Sequence, residues 1–120
     1  MMLAGALLVA LAAAPVAGAS CAKPLNTLDL TRTRTPSATD MEHAHPTRTE
    51  MPDGEATILS SLDDRGRLGR CVVEREDPAD LGFGAAALKL APRFQFAPIA
   101  RDGLPVAGRC IRIPIRWTTG

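Results

Sequence analysis

The side chains that could do chemistry include three cysteines and two histidines, but their spacing does not suit a metal. Cys21, Cys71 and Cys110 form no Cys-x-x-Cys pair, and His43 and His45 lie in a polar stretch far in sequence from Cys71. Zinc sites draw their four ligands from closely spaced residues of these types, so we predict no metal site. We interpret both histidines as solvated linker residues.

The carboxylates fall mainly in predicted turns and loops, where a solvated charge is the ordinary state. No nucleophile with a neighbouring base emerges, and a domain of this size has little room for a deep cleft. We therefore expect no enzyme, no cofactor and no small-molecule substrate. The carboxylates in question are Asp63, Asp64, Glu74, Glu76, Asp77 and Asp80.

Composition excludes further classes of protein. The chain has 120 residues, enough for one small domain, and its formal net charge is only +1. Aromatic residues make up 3% of it and tyrosine is absent, so neither a basic surface nor a stacking platform for nucleic acid is expected.

The first 19 residues carry no charge and end in Ala17-Gly18-Ala19. This pattern predicts a signal peptide, residues 1–19, cleaved after Ala19, and hence a periplasmic protein. Two alternatives remain open. The segment could be retained as an inner-membrane anchor, or Cys21 could carry a lipid, because Gly18-Ala19-Ser20-Cys21 is similar to a lipoprotein box.

Residues 20–50 are rich in Thr, Arg, Pro and Ser and show no sustained helical or strand period. They predict a flexible polar linker that precedes a folded domain over residues 51–120. In that domain, alternation over residues 55–62 predicts a first strand, and residues 67–75 return as the second strand of a hairpin. Its buried set, Leu68, Cys71 and Val73, requires a β-bulge.

A short helix is predicted to run from Gly84 to Leu90 and to stop before Pro92. The last strand is the clearest, because Ile111, Ile113, Ile115 and Trp117 alternate with Arg112, Pro114 and Arg116. Proline cannot donate to a ladder, so either this strand lies at a sheet edge or the Pro114 nitrogen faces away from its neighbour.

These elements predict an α+β fold, a small β-β-α-β domain. Its sheet would be three-stranded and antiparallel, in the spatial order second, first, third, with one helix packed on one face. The third strand would then be an edge.

The domain resembles the C-terminal domain of TonB, the periplasmic energy transducer. The resemblance rests on motifs in the family's order over residues 51–117. They are Asp64-Arg-Gly-Arg-Leu-Gly-Arg-Cys-Val-Val73, Gly82-Phe-Gly-Ala-Ala-Ala-Leu88, Arg93-Phe-Gln-Phe-Ala-Pro98, Asp102-Gly103 with Pro105-Val106, and Ile111-Arg-Ile-Pro-Ile115.

The resemblance implies transmembrane transport, in which the third strand binds an extended peptide, the TonB box of an outer-membrane receptor, by strand addition. A membrane-anchored chain would also contact motor proteins similar to ExbB and ExbD. The alternative is a small secreted or lipid-anchored structural domain of the cell envelope with no energy-transducing role. The residues expected to bind the partner are Arg109, Ile111, Arg112, Ile113, Ile115, Arg116 and Trp117.

Charge along the chain favours an acidic partner at this strand. Residues 93–120 contain five arginines and one aspartate, whereas residues 40–80 contain eleven acids and five arginines. The alternative is that these arginines only protect the edge from aggregation.

The predicted sheet order separates Cys71 from Cys110 by the first strand, so we predict no disulfide between them. Cys110 shares the parity of Arg112, on the face opposite the core. The resemblance places a cysteine in relatives where Ser60 stands here, which leaves Cys71 as a buried free thiol.

Overall fold

The computed structural model describes residues 20–47 and 52–118, and the predicted signal peptide lies outside them. Over these residues the protein is α+β, with two α-helices, a mixed four-stranded sheet and a separate two-stranded sheet. Within the described ranges, no helix is both long and apolar enough to cross a membrane.

The larger sheet has the strand order β1–β6–β3–β4. Strand β1 is Ser20–Asn26, β3 is Gly54–Leu62, β4 is Leu68–Asp77 and β6 is Arg109–Trp117. Strands β4, β3 and β6 are antiparallel neighbours, whereas β1 pairs with β6 in parallel.

The predicted second-first-third order therefore holds for β4, β3 and β6. The alternation read from the sequence sets this register, because Ile58 on β3 lies opposite Ile113 on β6 and both side chains are buried. The β-bulge predicted in the second strand is also present, between the pairs Ser60–Cys71 and Leu62–Leu68. A second register shift follows further along β4.

Helix α2, Phe83–Leu90, packs on the inner face of β3 and β4. It begins after Gly82, which has a positive φ of 89° that an L side chain rarely adopts. The predicted helix is present, and its residues Phe83, Ala87 and Leu90 are all buried. They join the isoleucines of β6 in one core.

The prediction of a flexible linker over residues 20–50 is wrong for residues 20–47. They form β1, a 3-10 turn over Thr27–Asp29, strand β2 (Arg32–Arg34) and helix α1 (Ala38–Ala44). Strand β2 pairs with β5 (Gln95–Phe96) as the two-stranded sheet. The expected fold of three strands and one helix is thereby corrected to a larger α+β unit.

Two local features hold this segment in place. Helix α1 begins with a capping box, in which Ser37 and Asp40 each accept a hydrogen bond from the other's backbone N–H. Two large apolar side chains of the segment, Leu25 and Leu30, are buried in the shared core, whereas Leu28 is exposed. Because residues 20–47 are mostly polar and need only a few buried contacts, their composition did not indicate that they are folded.

His45 is a core residue, which corrects its interpretation as solvated linker; His43 is exposed. The Nδ1 atom of His45 accepts a hydrogen bond from the Thr47 N–H at 3.1 Å, and Nε2 lies 2.9 Å from the Pro52 carbonyl oxygen. Since Nδ1 is an acceptor, Nε2 carries the proton and donates. The ring packs edge-on against Phe83, with centroids 5.3 Å apart.

Candidate functional site: the open edge of β6

Strand β6 is paired from Cys110 to Trp117 on one side, and along only part of its length on the other. Strand β3 pairs with it in an unbroken register from Gly54 opposite Trp117 to Ser61 opposite Cys110. On the far side, β1 pairs with β6 only as far as Asn26 opposite Arg112. No other described strand reaches that side, so residues 113–117 have one unpaired side, which we call the open edge.

A disulfide fastens β1 to the other half of β6. Cys21 and Cys110 are bonded, with their Cα atoms 5.0 Å apart, and Cys71 is the free cysteine, as predicted. The expectation that all of β6 forms a sheet edge is therefore wrong for residues 109–112. The disulfide uses the Cys21 sulfur, which is the atom that a lipid at Cys21 would occupy.

The open edge directs the backbone groups of alternate residues away from β3. Thr57 lies opposite Pro114, which has no N–H to donate across the ladder. The residues that exchange both hydrogen bonds with β3 are therefore the odd-numbered ones of β6. It follows that Pro114 offers a carbonyl to the open side, whereas Arg116 offers both an N–H and a carbonyl.

A groove of about 360 Å³ lies between helix α1 and the end of this edge. Trp117 forms one wall, and its indole Nε1–H donates to the Met41 carbonyl oxygen at 2.9 Å, which fixes α1 against β6. The groove thus combines apolar side chains with Arg116, a residue of the open edge. Its lining residues are Ala38, Met41, Glu42, His45, Arg116, Trp117 and Thr118.

The apolar residues predicted to bind a partner have their side chains in the core. Ile111 and Ile113 are fully buried, and Ile115 and Trp117 are each only 4% exposed. Their side chains cannot form a partner's main contact surface. What β6 has available at positions 113–117 is its backbone, together with the outward side chains of Pro114 and Arg116.

The three arginines predicted to attract an acidic partner are already paired. Arg109 contacts Asp102 at 2.9 Å, Arg112 contacts Glu74 at 2.7 Å and Arg116 contacts Glu55 at 3.0 Å. Each arginine meets an acid from another part of the chain, so the local positive charge in the sequence is balanced in the fold. The basic last strand is consequently not a free positive surface.

The shortest of these three pairs, Arg112 with Glu74, shifts the pKa values of both partners. The pKa of the Glu74 carboxyl is lowered, chiefly because the Arg112 guanidinium donates two hydrogen bonds to its oxygens. The same hydrogen bonds raise the pKa of Arg112. Arg112 is therefore committed to the outer face of the sheet and is not available to a peptide at the open edge.

The free thiol lies away from the open edge, in the hairpin. Cys71 lies directly opposite Ser60, with its Sγ 2.8 Å from the Ser60 Oγ. Burial raises the pKa of the Cys71 thiol, although the hydrogen bond to Ser60 acts in the opposite direction. Within the described part of the chain, no three His, Cys, Asp or Glu side chains group to hold a metal ion.

The parts of the site that come from residues 20–47, strand β1 with its disulfide and helix α1, were not predicted from the sequence. Two signals for them were present. Ser37 and Asp40 have the three-residue spacing of a capping box before α1. Once Cys71 was excluded as the partner of Cys110, Cys21 was the remaining cysteine that could bond to it in an oxidising compartment. The parallel pairing of β1 with β6 had no comparable local signal.

Comparison with known proteins assigns no family. No family profile matches the chain. A protein of Caulobacter vibrioides, described as uncharacterized, is 41% identical over 51 residues, a stretch covering 42% of this chain and 51% of that protein. The match thus spans about half the length of the relative.

Proposed function

We propose that this protein is a periplasmic peptide-binding domain, similar to the C-terminal domain of TonB, whose open edge accepts an extended peptide by strand addition. One observation carries the proposal. Residues 113–117 form a regular strand that is paired on one side and bordered by a groove on the other. Unpaired N–H and C=O groups of this kind are what an added strand requires.

Strand β4 is the other edge of the sheet and is less suited to a ligand. Its register with β3 shifts twice, whereas β6 pairs with β3 without a shift. It also carries exposed charged side chains, including Arg70 and Arg75. Bulges and charges are the features that protect a sheet edge from pairing. Of the two edges, the open edge of β6 is the more regular template.

Strand β1 supports the proposal from within the chain. It occupies the same side of β6, and its pairing ends at Asn26 opposite Arg112. A peptide that bound beyond this point would pair with the next backbone groups on the same side of β6. The backbone of Arg116 would then face the peptide as the backbone of Arg112 faces β1. The chain thus carries an example of a strand added in parallel to this side of β6.

The cellular setting of the proposal is the periplasm, with an outer-membrane receptor as the source of the peptide and TonB-dependent transport as the process. The disulfide supports this setting, because such bonds persist in oxidising compartments. The transport role rests on the order of the TonB-like motifs. Motor proteins similar to ExbB and ExbD are further partners if the N-terminal segment is kept as an inner-membrane anchor.

A substitution at Arg116 can test the contribution of the backbone N–H separately from that of the side-chain charge. Arg116→Pro removes the outward N–H, and because that N–H faces away from β3 the ladder keeps its bonds. Arg116→Gln is the matched control, since it also loses the ion pair with Glu55 but keeps the N–H. Circular dichroism and the melting temperature show whether each variant is folded.

Binding is measured by titration with peptides that match the TonB-box segment of an outer-membrane receptor. We expect Arg116→Pro to weaken the peptide about tenfold, the upper range for one lost hydrogen bond, and Arg116→Gln to bind close to the parent. Equal binding by the parent and a folded Arg116→Pro variant would show that the backbone of the open edge is not the site.

A second candidate is a structural domain of the cell envelope that binds no receptor peptide. The observation in its favour is that the chain already fills half of this side of β6 with its own strand and fastens it by a disulfide. The same titration discriminates between the two. Absence of saturable binding by every receptor peptide, with the parent protein folded and oxidised, favours the structural role.

A further inference from the structure

The arginines of the last strand are paired, but a second group of arginines is not. Among the described residues, Arg34 and Arg67 take part in no salt bridge, and both side chains are exposed. Strand β2 places Arg34 opposite Gln95 of β5, and an isolated bridge places Arg67 opposite Gln95 on its other side. Residues directly opposite each other point to the same face. Arg34, Gln95 and Arg67 therefore form a row, which we call the arginine row.

The arginine row borders a groove of about 320 Å³. Its remaining lining residues, Leu68, Pro92 and Phe94, give it an apolar wall. The Gln95 side-chain N–H donates to the Arg65 carbonyl oxygen at 3.0 Å, which fixes the amide and leaves its oxygen as an acceptor. The groove thus presents two cations, one fixed acceptor and an apolar surface.

Asp40 and Asp63 interact electrostatically with Arg34 and Arg67, respectively, but each makes its closer contacts elsewhere. Asp40 forms its salt bridge with Arg93 at 3.8 Å, and its pKa is lowered first by the hydrogen bond from the Ser37 backbone N–H. The Oδ1 atom of Asp63 accepts hydrogen bonds from the backbone N–H groups of Arg65 and Arg67. Neither carboxylate closes a salt bridge with the guanidinium groups of the arginine row.

We propose that the arginine row binds an acidic peptide segment in extended conformation, with two carboxylates two residues apart, one for Arg34 and one for Arg67. Two strand spacings separate the backbones of these arginines, about 10 Å. Alternate side chains of an extended chain lie on one face about 7 Å apart, within the reach of two arginine side chains. The Gln95 oxygen is placed to accept a peptide N–H between them.

Charge and spacing select this occupant. Two guanidinium groups favour carboxylates through charge-assisted hydrogen bonds. A single small anion such as phosphate engages one of them closely but leaves the other and the apolar wall unused. The arginine row is a different surface from the open edge, so binding there does not depend on peptide addition to β6.

The test is a titration of the 15N-labelled, oxidised protein by NMR with a capped heptapeptide, Gly-Ser-Glu-Val-Glu-Ser-Gly. One control peptide replaces both glutamates by glutamine. A second separates the glutamates by two valines, which puts the carboxylates on opposite faces of an extended chain. Inorganic phosphate is titrated as a separate arm. The variants are Arg34→Gln and Arg67→Gln, with Arg75→Gln on β4 as an exposed, matched control.

We expect saturable shifts at Gln95 and at the amides of the arginine row, with Arg34→Gln and Arg67→Gln each weakening the peptide about fivefold. Binding should fall steeply with added salt, and Arg75→Gln should match the parent. Any of three results overturns the proposal: equal binding of either control peptide, equal weakening by Arg75→Gln, or tighter binding of phosphate at the same residues. Absence of saturable shifts with the heptapeptide overturns it as well.

Discussion

The disulfide between Cys21 and Cys110 gives the largest predicted effect, and we test it with the double substitution Cys21→Ser, Cys110→Ser. The two cysteines are 89 residues apart in sequence. Closing a loop of that length removes about 4.6 kcal/mol of chain entropy from the unfolded state, an estimate that native-state relaxation reduces. We therefore expect the free energy of unfolding to fall by about 3–5 kcal/mol.

The local effect on β1 should be larger than the global one. Of the described side chains of its seven residues, only Leu25 is buried, and a buried leucine contributes about 1.5–3 kcal/mol. Ordering seven backbone residues costs about 1–2 kcal/mol each, so the remaining contacts of β1 hold it weakly without the covalent bond. In the double variant, amide hydrogen exchange should accelerate much more in β1 than in β3.

The assay is urea denaturation followed by circular dichroism, with hydrogen exchange read by mass spectrometry. Cys71→Ser is the matched control, because that thiol is free and half-buried. It should change the free energy of unfolding by about 1 kcal/mol or less. A double variant within about 1 kcal/mol of the parent, with β1 still protected from exchange, would refute the reasoning that the disulfide holds β1 on β6.

Three further predictions concern single side chains. Ser60→Cys should form a disulfide with the facing Cys71, seen as the loss of one alkylatable thiol in non-reducing mass mapping, and an alkylatable Cys71 in that variant would contradict the pairing. His45→Ala should lower the free energy of unfolding by about 3 kcal/mol while the exposed His43→Ala leaves it unchanged, and equal effects would contradict a core role. Glu74→Gln should cost about 0.5–1 kcal/mol at pH 7. Because the folded pKa of Glu74 lies below its ordinary value of 4.5, this difference should fade as pH drops below 4.5, and a difference that persists in strong acid would refute the ion-pair origin.

The hairpin, the helix and the last strand were predictable because their signals are local. Alternation along β3 and β6 predicts which face of each strand is buried, and the buried Ile58 and Ile113 lie opposite each other in the structure. The spacing of Leu68, Cys71 and Val73 does not fit the two-residue period of a strand, so their burial required a bulge, which β4 contains. Each of these inferences depends on neighbours within one or two strands.

The structure of residues 20–47 was not predicted, because it depends on partners that are distant in the sequence. Leu25 and Leu30 are isolated in a polar sequence and become core residues only against β6 and its surroundings. The partners of the β6 arginines come from the loop before it, from β3 and from β4, so the linear charge pattern suggested a free basic surface that the fold neutralises. Long-range pairing of this kind leaves no periodic signal in a single sequence.

Backbone binding of an extended peptide at the open edge of β6 can be observed residue by residue in an NMR titration of the 15N-labelled protein with a TonB-box peptide. We expect the largest shifts at the amides of residues 115–118 and in helix α1. In Arg116→Pro those shifts should require about tenfold more peptide, whereas in Arg116→Gln they should titrate close to the parent. Shifts centred on β4 instead, or unchanged by Arg116→Pro in a folded protein, would contradict backbone binding at the open edge.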